Sequence, residues 1–210
     1  MGIVFGSTKG LEMPAFEVLA SASGYEVRRY APSVLATAAF GEKGWAAAGS
    51  DGSPFGALAR YIGVFGEPKN QASSQISMTA PVLVDASTTA EPIAMTAPVL
   101  VSPTGTNTMS FVLPASLYKS VDEAPRPTDP RVTIHQLPER VQAVRTFSYK
   151  FSHESSRKNL ELLLADLEGS SDWAVKRGAN GEPRWQAAGY NPPFSLPFMK
   201  RNEVLVEVEE

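Results

Sequence analysis

Apolar and polar residues alternate along several short stretches of this chain, and along two others they recur at helical spacing. Tyr25, Val27 and Arg29 share one face of a predicted strand, with Glu26, Arg28 and Tyr30 on the other. Pro32 ends it, and Val34–Phe40 reads as a second strand, so the two predict a hairpin. Gly41 to Gly52 is a loose, glycine-rich link. Ser53-Pro54 then opens a helix. Serine is a good cap, and proline suits the first helical position because its missing N–H would have no partner there. Phe55, Leu58, Ile62 and Phe65 form one apolar stripe, and Gly63, Gly66 and Pro68 end the helix. Thr108–Pro114 is the next strand, followed by a surface crossing that holds Pro125, Pro127 and Pro130.

The second half repeats this plan. Val132–Leu137 and Val141–Phe151 predict another hairpin. A helix from about Glu154 to Glu168 buries Leu160, Leu163, Leu164 and Leu167, with Gly169 beyond its end. Strands follow at Trp173–Lys176, Arg184–Ala188 and Glu203–Val208. Residues 1–23 are small and weakly patterned, which predicts an arm laid on the domain. The order hairpin, helix, strands thus occurs twice, over about 24–118 and 131–209. It predicts a single α+β domain over 24–210, a distorted antiparallel or mixed β-barrel flanked by two helices. The barrel would be a pseudo-twofold repeat of two ββαββ-like halves.

One phrase occurs twice. Ile76-Ser-Met-Thr-Ala-Pro-Val-Leu-Val84 returns, 17 residues on, as Ile93-Ala-Met-Thr-Ala-Pro-Val-Leu-Val101, with eight of nine residues unchanged. Each copy alternates, and each carries a proline, which a sheet tolerates at an edge or a bend. The two copies are expected to pair as an added hairpin at the sheet edge, with Asp85–Pro92 as its turn; the alternative is an unpaired surface loop.

Composition narrows the chemistry. The 210 residues are 43% hydrophobic and 20% charged, with a net charge of −3, as in ordinary globular proteins. No basic block points to a nucleic-acid backbone. With no cysteine, disulfides, thiolate metal sites and cysteine nucleophiles are excluded together. No apolar run is long enough to span a bilayer. Lys9, Glu12 and Pro14 interrupt any signal-peptide core, so a cytoplasmic protein is expected. His135 is read on the wet face of its strand and His153 at a helix start. No P-loop, HExxH or GxSxG is present, so no catalytic constellation is recognisable. The unusual feature is the loop 190–199, which carries Phe194, Leu196, Phe198 and Met199 where loops are commonly polar. It reads either as a lid folded on the core or as the wall of an apolar ligand pocket, with Lys200, Arg201 and Arg60 supplying charge for an acidic ligand edge.

Six segments in register resemble the SOUL/heme-binding protein family. They are Tyr25-Glu-Val-Arg-Arg-Tyr30, the Phe55–Gly66 helix, the Met-Thr-Ala-Pro-Val phrase, Pro125-Arg-Pro127, Val144-Arg-Thr-Phe147, and Gly189-Tyr-Asn-Pro-Pro193 with Arg201-Asn-Glu-Val204. The opening residues and the doubled phrase look closest to plant and green-algal cytosolic members. The resemblance implies a distorted eight-stranded barrel with two helices, binding heme and other porphyrins such as protoporphyrin IX without covalent attachment. It puts the ligand between the first helix and the loop before the last strand, here 54–65 and 190–201. Phe55, Leu58 and Ile62 would wall the helix side and Phe194, Leu196 and Phe198 the loop side. Arg60 and Lys200 would meet the propionates. Members that use an axial histidine carry it where this chain has Arg29, so ligation of that kind is not expected. The role implied is a monomeric carrier or buffer of tetrapyrrole, with a protein partner in tetrapyrrole metabolism. The alternatives are an interaction adaptor and a heme-modifying enzyme using the same pocket. The fold implied is also similar to that of bacterial effector-binding domains of the gyrase-inhibitor type.

Overall fold

The computed structural model describes residues 11–40, 53–64, 66–85, 108–179, 181–191 and 195–210. In chain order the elements are β1 (Phe16–Ala22), β2 (Tyr25–Tyr30), β3 (Ser33–Ala39), α1 (Pro54–Ile62), β4 (Val82–Asp85), β5 (Thr108–Val112), β6 (Val132–Leu137), β7 (Arg140–Phe147), α2 (His153–Glu168), β8 (Ala174–Val175), β9 (Trp185–Gly189) and β10 (Asn202–Glu209). Both helices start as their sequences predict. The Ser53 hydroxyl accepts the Gly56 N–H at 3.1 Å, and the Ser152 hydroxyl accepts the Ser155 N–H at 3.3 Å. Gly63 closes α1 at φ 84°, a left-handed conformation that costs glycine little.

Among the described residues the strands form one antiparallel sheet in the order β1-β2-β7-β10-β9-β4-β5-β3-β6, with β8 paired to β10. From β2 to β6 this order is unchanged when β2, β3, β4 and β5 are exchanged for β6, β7, β9 and β10. β4 and β9 are the central pair of that order. Side-chain alternation then gives the sheet two different faces. One carries both helices. α1 buries Ala57, Leu58, Tyr61 and Ile62 against Val34, Ala36, Met109, Phe111 and Val132. α2 buries Leu160, Leu163 and Leu167 against Val27, Ala143, Val204 and Val206. The opposite face is buried too. Tyr30, Leu35, Leu83, Val112, Val144, Ala188 and Leu205 form a third cluster there. Strands from nearly the full width of the sheet contribute to it, so the sheet curls into a half-barrel around its own inner face. The fold class is the α+β, helix-flanked curled sheet that the pattern predicts.

Several expectations are corrected. Residues 16–22, inside the stretch expected as an arm, form β1 along the length of β2. The first copy of the repeated phrase is not at an edge: β4 pairs with both β5 and β9. Its proline is no obstacle, because Pro81 stands one residue ahead of the ladder, where no N–H is required. The second copy, with the hairpin expected of it, lies outside the described residues, as do Phe65 and Phe194. β7 stops at Phe147, and Tyr149 then takes φ 73°. His135 is half-buried on the inner face opposite Leu35 rather than wet, and burial holds its pKa below the usual value.

Leu163 is fully buried under α2. Leu163→Ala is expected to lower unfolding free energy by about 3 kcal/mol, read from the urea midpoint at unchanged slope. A loss under about 1 kcal/mol would mean that α2 is not seated on the sheet.

Candidate functional site

The residues expected to form the ligand site separate in the structure. Leu58 is fully buried and Ile62 is 2% exposed, both in the core beneath α1. They hold the helix to the sheet and offer no surface to a ligand. Arg60 is half-buried on the far side. Arg131, through its hydrogen bonds, and to a smaller degree Arg60, through its charge, hold the Asp129 carboxyl below its usual pKa. The neighbouring Tyr61 hydroxyl donates to the Pro125 carbonyl at 2.8 Å, which ties this end of α1 to the proline-rich crossing. Phe55 differs. It meets Phe111 edge-on, 5.6 Å between centroids. Phe111 pairs with Val82, and Val82 with Gly189, where β9 leaves the sheet for the 190–201 loop. Phe55 is thus the helix residue on the loop's side.

The loop itself is pinned at its base and apolar at its tip. The Tyr190 N–H donates to the Arg201 carbonyl at 3.2 Å, and the Asn191 side chain accepts the Arg201 N–H at 2.7 Å. Beyond that neck, Leu196, Phe198 and Met199 are 55%, 63% and 53% exposed on a short 3-10 turn, Pro197–Met199. Tyr149, 64% exposed, joins them, because its N–H donates to the Pro197 carbonyl at 2.9 Å. Lys150 and Lys200 flank this surface. Beneath it, Phe151 packs against the clusters of both helices. The Phe151 ring comes so close to Gly189 that a Cβ there would stand 3.1 Å from it, which explains the glycine. The structure therefore brings Leu196, Phe198 and Lys200 together with Tyr149, while Phe55 packs on the α1 cluster, against which Phe151 also lies.

Pattern reading missed a second centre, a buried ionic network on the inner face. The Glu203 carboxylate is fully buried. It accepts from Arg28 at 3.1 Å, from Arg201 at 2.6 Å, and from the Tyr190 hydroxyl. Arg28 also pairs with Glu26 at 2.7 Å and donates to the Tyr30 hydroxyl at 3.1 Å. Each cation lies over a ring: Arg28 over Phe16, Arg140 over Tyr30, Arg201 over Tyr190, at 4.5, 4.9 and 4.5 Å. Burial alone would raise the Glu203 pKa. The Tyr190 hydrogen bond and the two guanidinium charges outweigh it, and the carboxyl is held below its usual range. Burial and the Glu203 charge push the Tyr190 phenol upward. A carboxylate so held is no proton acceptor near neutrality; the network clamps β2, β10 and the neck of the loop. The alternation that puts Glu26, Arg28 and Tyr30 on one face was the available signal, though nothing in it placed Glu203 opposite. Arg29, on the other face of β2, pairs with Glu17 at the surface.

Two further observations bound the chemistry. A small cleft among Glu12, Pro14, Pro32, Thr79 and Leu113 holds about 40 Å³, room for a water but not for a flat macrocycle. Among the described residues no cluster of three or more His, Asp or Glu could hold a metal ion. None of their helices is long and apolar enough to cross a membrane.

The fold is thus a curled antiparallel sheet with two helices on one face and an exposed apolar loop at its end. The profile of the SOUL heme-binding protein family matches residues 11–207, and the chain belongs to that family. No curated protein matches significantly. Among solved structures, the C-terminal domain of EcmrR aligns at 7% identity over 89% of this chain and 97% of that one, with a TM-score of 0.52. A hydrolase from Listeria innocua aligns at 10% identity over 91% and 94%, at 0.51. These likenesses concern the fold alone.

The network sets an acid limit. With Glu203 held below the ordinary carboxylate value of 4.5 in the folded protein, the unfolded chain binds more protons as the pH drops toward that value. The carboxylate's contribution is complete above pH 4.5 and is lost as the pH falls through the folded pKa. Glu203→Gln should cost about 3 kcal/mol at pH 7 by leaving the buried Arg28 guanidinium with only the partly exposed Glu26 as counter-charge. The deficit should shrink toward pH 3, as followed by urea unfolding across that range. A deficit independent of pH would remove the carboxylate from this role.

Proposed function

We propose that this protein binds heme or a related porphyrin on the exposed apolar surface formed by Leu196, Phe198, Met199 and Tyr149, and acts as a soluble tetrapyrrole carrier or buffer. Membership of a heme-binding family implies the ligand class. The observation that carries the location is the exposure of three large apolar side chains on one pinned loop. A porphyrin is a flat apolar body with an acidic edge. Leu196, Phe198 and Met199 suit the ring face, and Lys150 and Lys200 suit the propionates. Phe55 approaches the same end through Phe111 and Val82. The bound iron would supply only the ligand's own redox and ligation chemistry, and none of it is required for carriage. With Arg29 committed to Glu17, the resemblance's axial position offers no imidazole.

Titrations with hemin and with metal-free protoporphyrin IX test this. Wild type should saturate at one equivalent with both ligands, without a sharp six-coordinate bis-histidine spectrum. Phe198→Asp and Leu196→Asp change exposed side chains, so they should keep their stability and bind at least tenfold more weakly. Lys200→Glu should weaken binding severalfold. Leu58→Asp would report unfolding, since that side chain is core. Equal binding by wild type and both loop variants would overturn the site and favour a protein-docking role for the same surface.

A further inference from the structure

We infer that the tip formed by Tyr149, Leu196, Phe198 and Met199 docks this protein reversibly on the surface of an anionic phospholipid bilayer. This use of the surface goes beyond porphyrin carriage and requires no porphyrin. Among the described residues, five large apolar or aromatic side chains are more than half exposed, and four of them share this tip. The fifth, Leu117, lies in the crossing that follows β5. Single exposed apolar residues are ordinary, whereas a cluster of them marks a contact surface. The backbone enforces the display. Tyr149 holds φ 73°, a left-handed conformation that costs a bulky residue free energy. Its N–H donates to the Pro197 carbonyl at 2.9 Å, and its carbonyl accepts from the buried Asn202 side chain at 3.3 Å. Those bonds fasten the strained residue to the base of the 3-10 turn, yet its ring stays largely in solvent.

Shape and charge select the occupant. Leu196, Phe198 and Met199 project from a short turn, and acyl chains can surround a projecting side chain on every side. Tyrosine has an apolar ring and a polar tip, which suits the headgroup level above them. The stretches that build the tip, 147–153 and 195–201, hold Lys150, Lys200, Arg201 and His153 and no acidic residue, in a chain whose net charge is −3. The acids nearest in sequence are Glu154, in the first turn of α2, and the buried Glu203, to which Arg201 is committed. Lys150 and Lys200 therefore set the sign of this end. An acidic protein with a locally basic, apolar tip is repelled by an anionic surface except at that tip, and so approaches tip first. A few side chains and two cations anchor weakly, which makes the docking peripheral and reversible.

Sedimentation with porphyrin-free vesicles tests this. Wild type should partition onto phosphatidylcholine vesicles containing about one-third phosphatidylserine, about tenfold more strongly than onto phosphatidylcholine alone. Phe198→Asp should lower that partition roughly tenfold or more. Lys150→Glu should lower it severalfold on the anionic vesicles and leave the neutral ones unchanged. Tyr149→Gly removes an apolar anchor and relieves the backbone, so it should weaken partition severalfold with the urea midpoint unchanged or higher. The chain has no cysteine, so Phe198→Cys and Leu117→Cys can each carry one environment-sensitive fluorophore. Anionic vesicles should shift the emission to the blue at Phe198→Cys and not at Leu117→Cys. Equal partition of wild type and Phe198→Asp, or a Phe198→Cys label that stays in water, would overturn the docking. If porphyrins saturate the protein while vesicles leave it in solution, the membrane role falls and the porphyrin reading stands. Vesicle binding without porphyrin binding has the reverse meaning.

Discussion

A charged carboxylate with no exposure is the constraint around which this fold closes. Glu203 points away from the helices, into the inner face of the curled sheet. A charge left there alone would cost several kcal/mol, so the sheet must bring cations to it. It does so from two directions. Arg28 arrives from β2, across the intervening β7, and Arg201 from the residue preceding β10. The Tyr190 hydroxyl arrives from the opposite side of the 190–201 loop. Correct curvature, correct β2–β7–β10 register and a closed loop neck are therefore satisfied together or not at all. An uncharged core would have tolerated slippage by small steps; a buried ion network does not.

This division explains why one part of the chain was legible in sequence and another was not. Alternation and helical spacing concern one residue's own surroundings. They located β2, β3, β6 and both helices, because the Ser53 cap and the leucines of α2 act over a few residues. They passed over β1, whose Phe16, Glu17 and Val18 are exposed on an edge and whose pattern is faint. They put β4 at an edge because a proline rule was applied to the whole phrase, while the ladder begins one residue after Pro81. The Glu203 network was out of reach for a stronger reason. Its Arg28–Glu203 contact joins residues 175 positions apart, and only the strand order brings them together.

The candidate site shows the same contrast in reverse. Apolar stripe residues are chosen for a helix by period alone, so period cannot say whether Leu58 faces a ligand or the core; the sheet beneath α1 decides for the core. Loop residues carry no such ambiguity. Leu196, Phe198 and Met199 sit where neither period nor sheet offers cover, and the structure leaves them exposed. The neck that holds them is the rigid part. Tyr190 and Arg201, which bond to each other's backbone, are also the groups that close on Glu203. The exposed surface proposed for the porphyrin is thus mounted on the most strongly specified point of the inner face. Preorganisation of this kind lowers the ordering cost of binding.

The central pair of the sheet has the opposite character. β4 lies beside β9 in the middle of the strand order, yet it is held by side chains of a phrase that occurs twice in the chain. Its neighbours read shape and burial at Leu83 and Val84, and they read one hydroxyl at Thr79. None of these is unique to the first copy. Ion networks specify identity because a charge in the wrong place is severely penalised, whereas apolar contacts accept any side chain of the right size. In this protein β2, β10 and the loop neck are fixed by charge, whereas β4 is held by burial, by its ladders with β5 and β9 and by one hydroxyl.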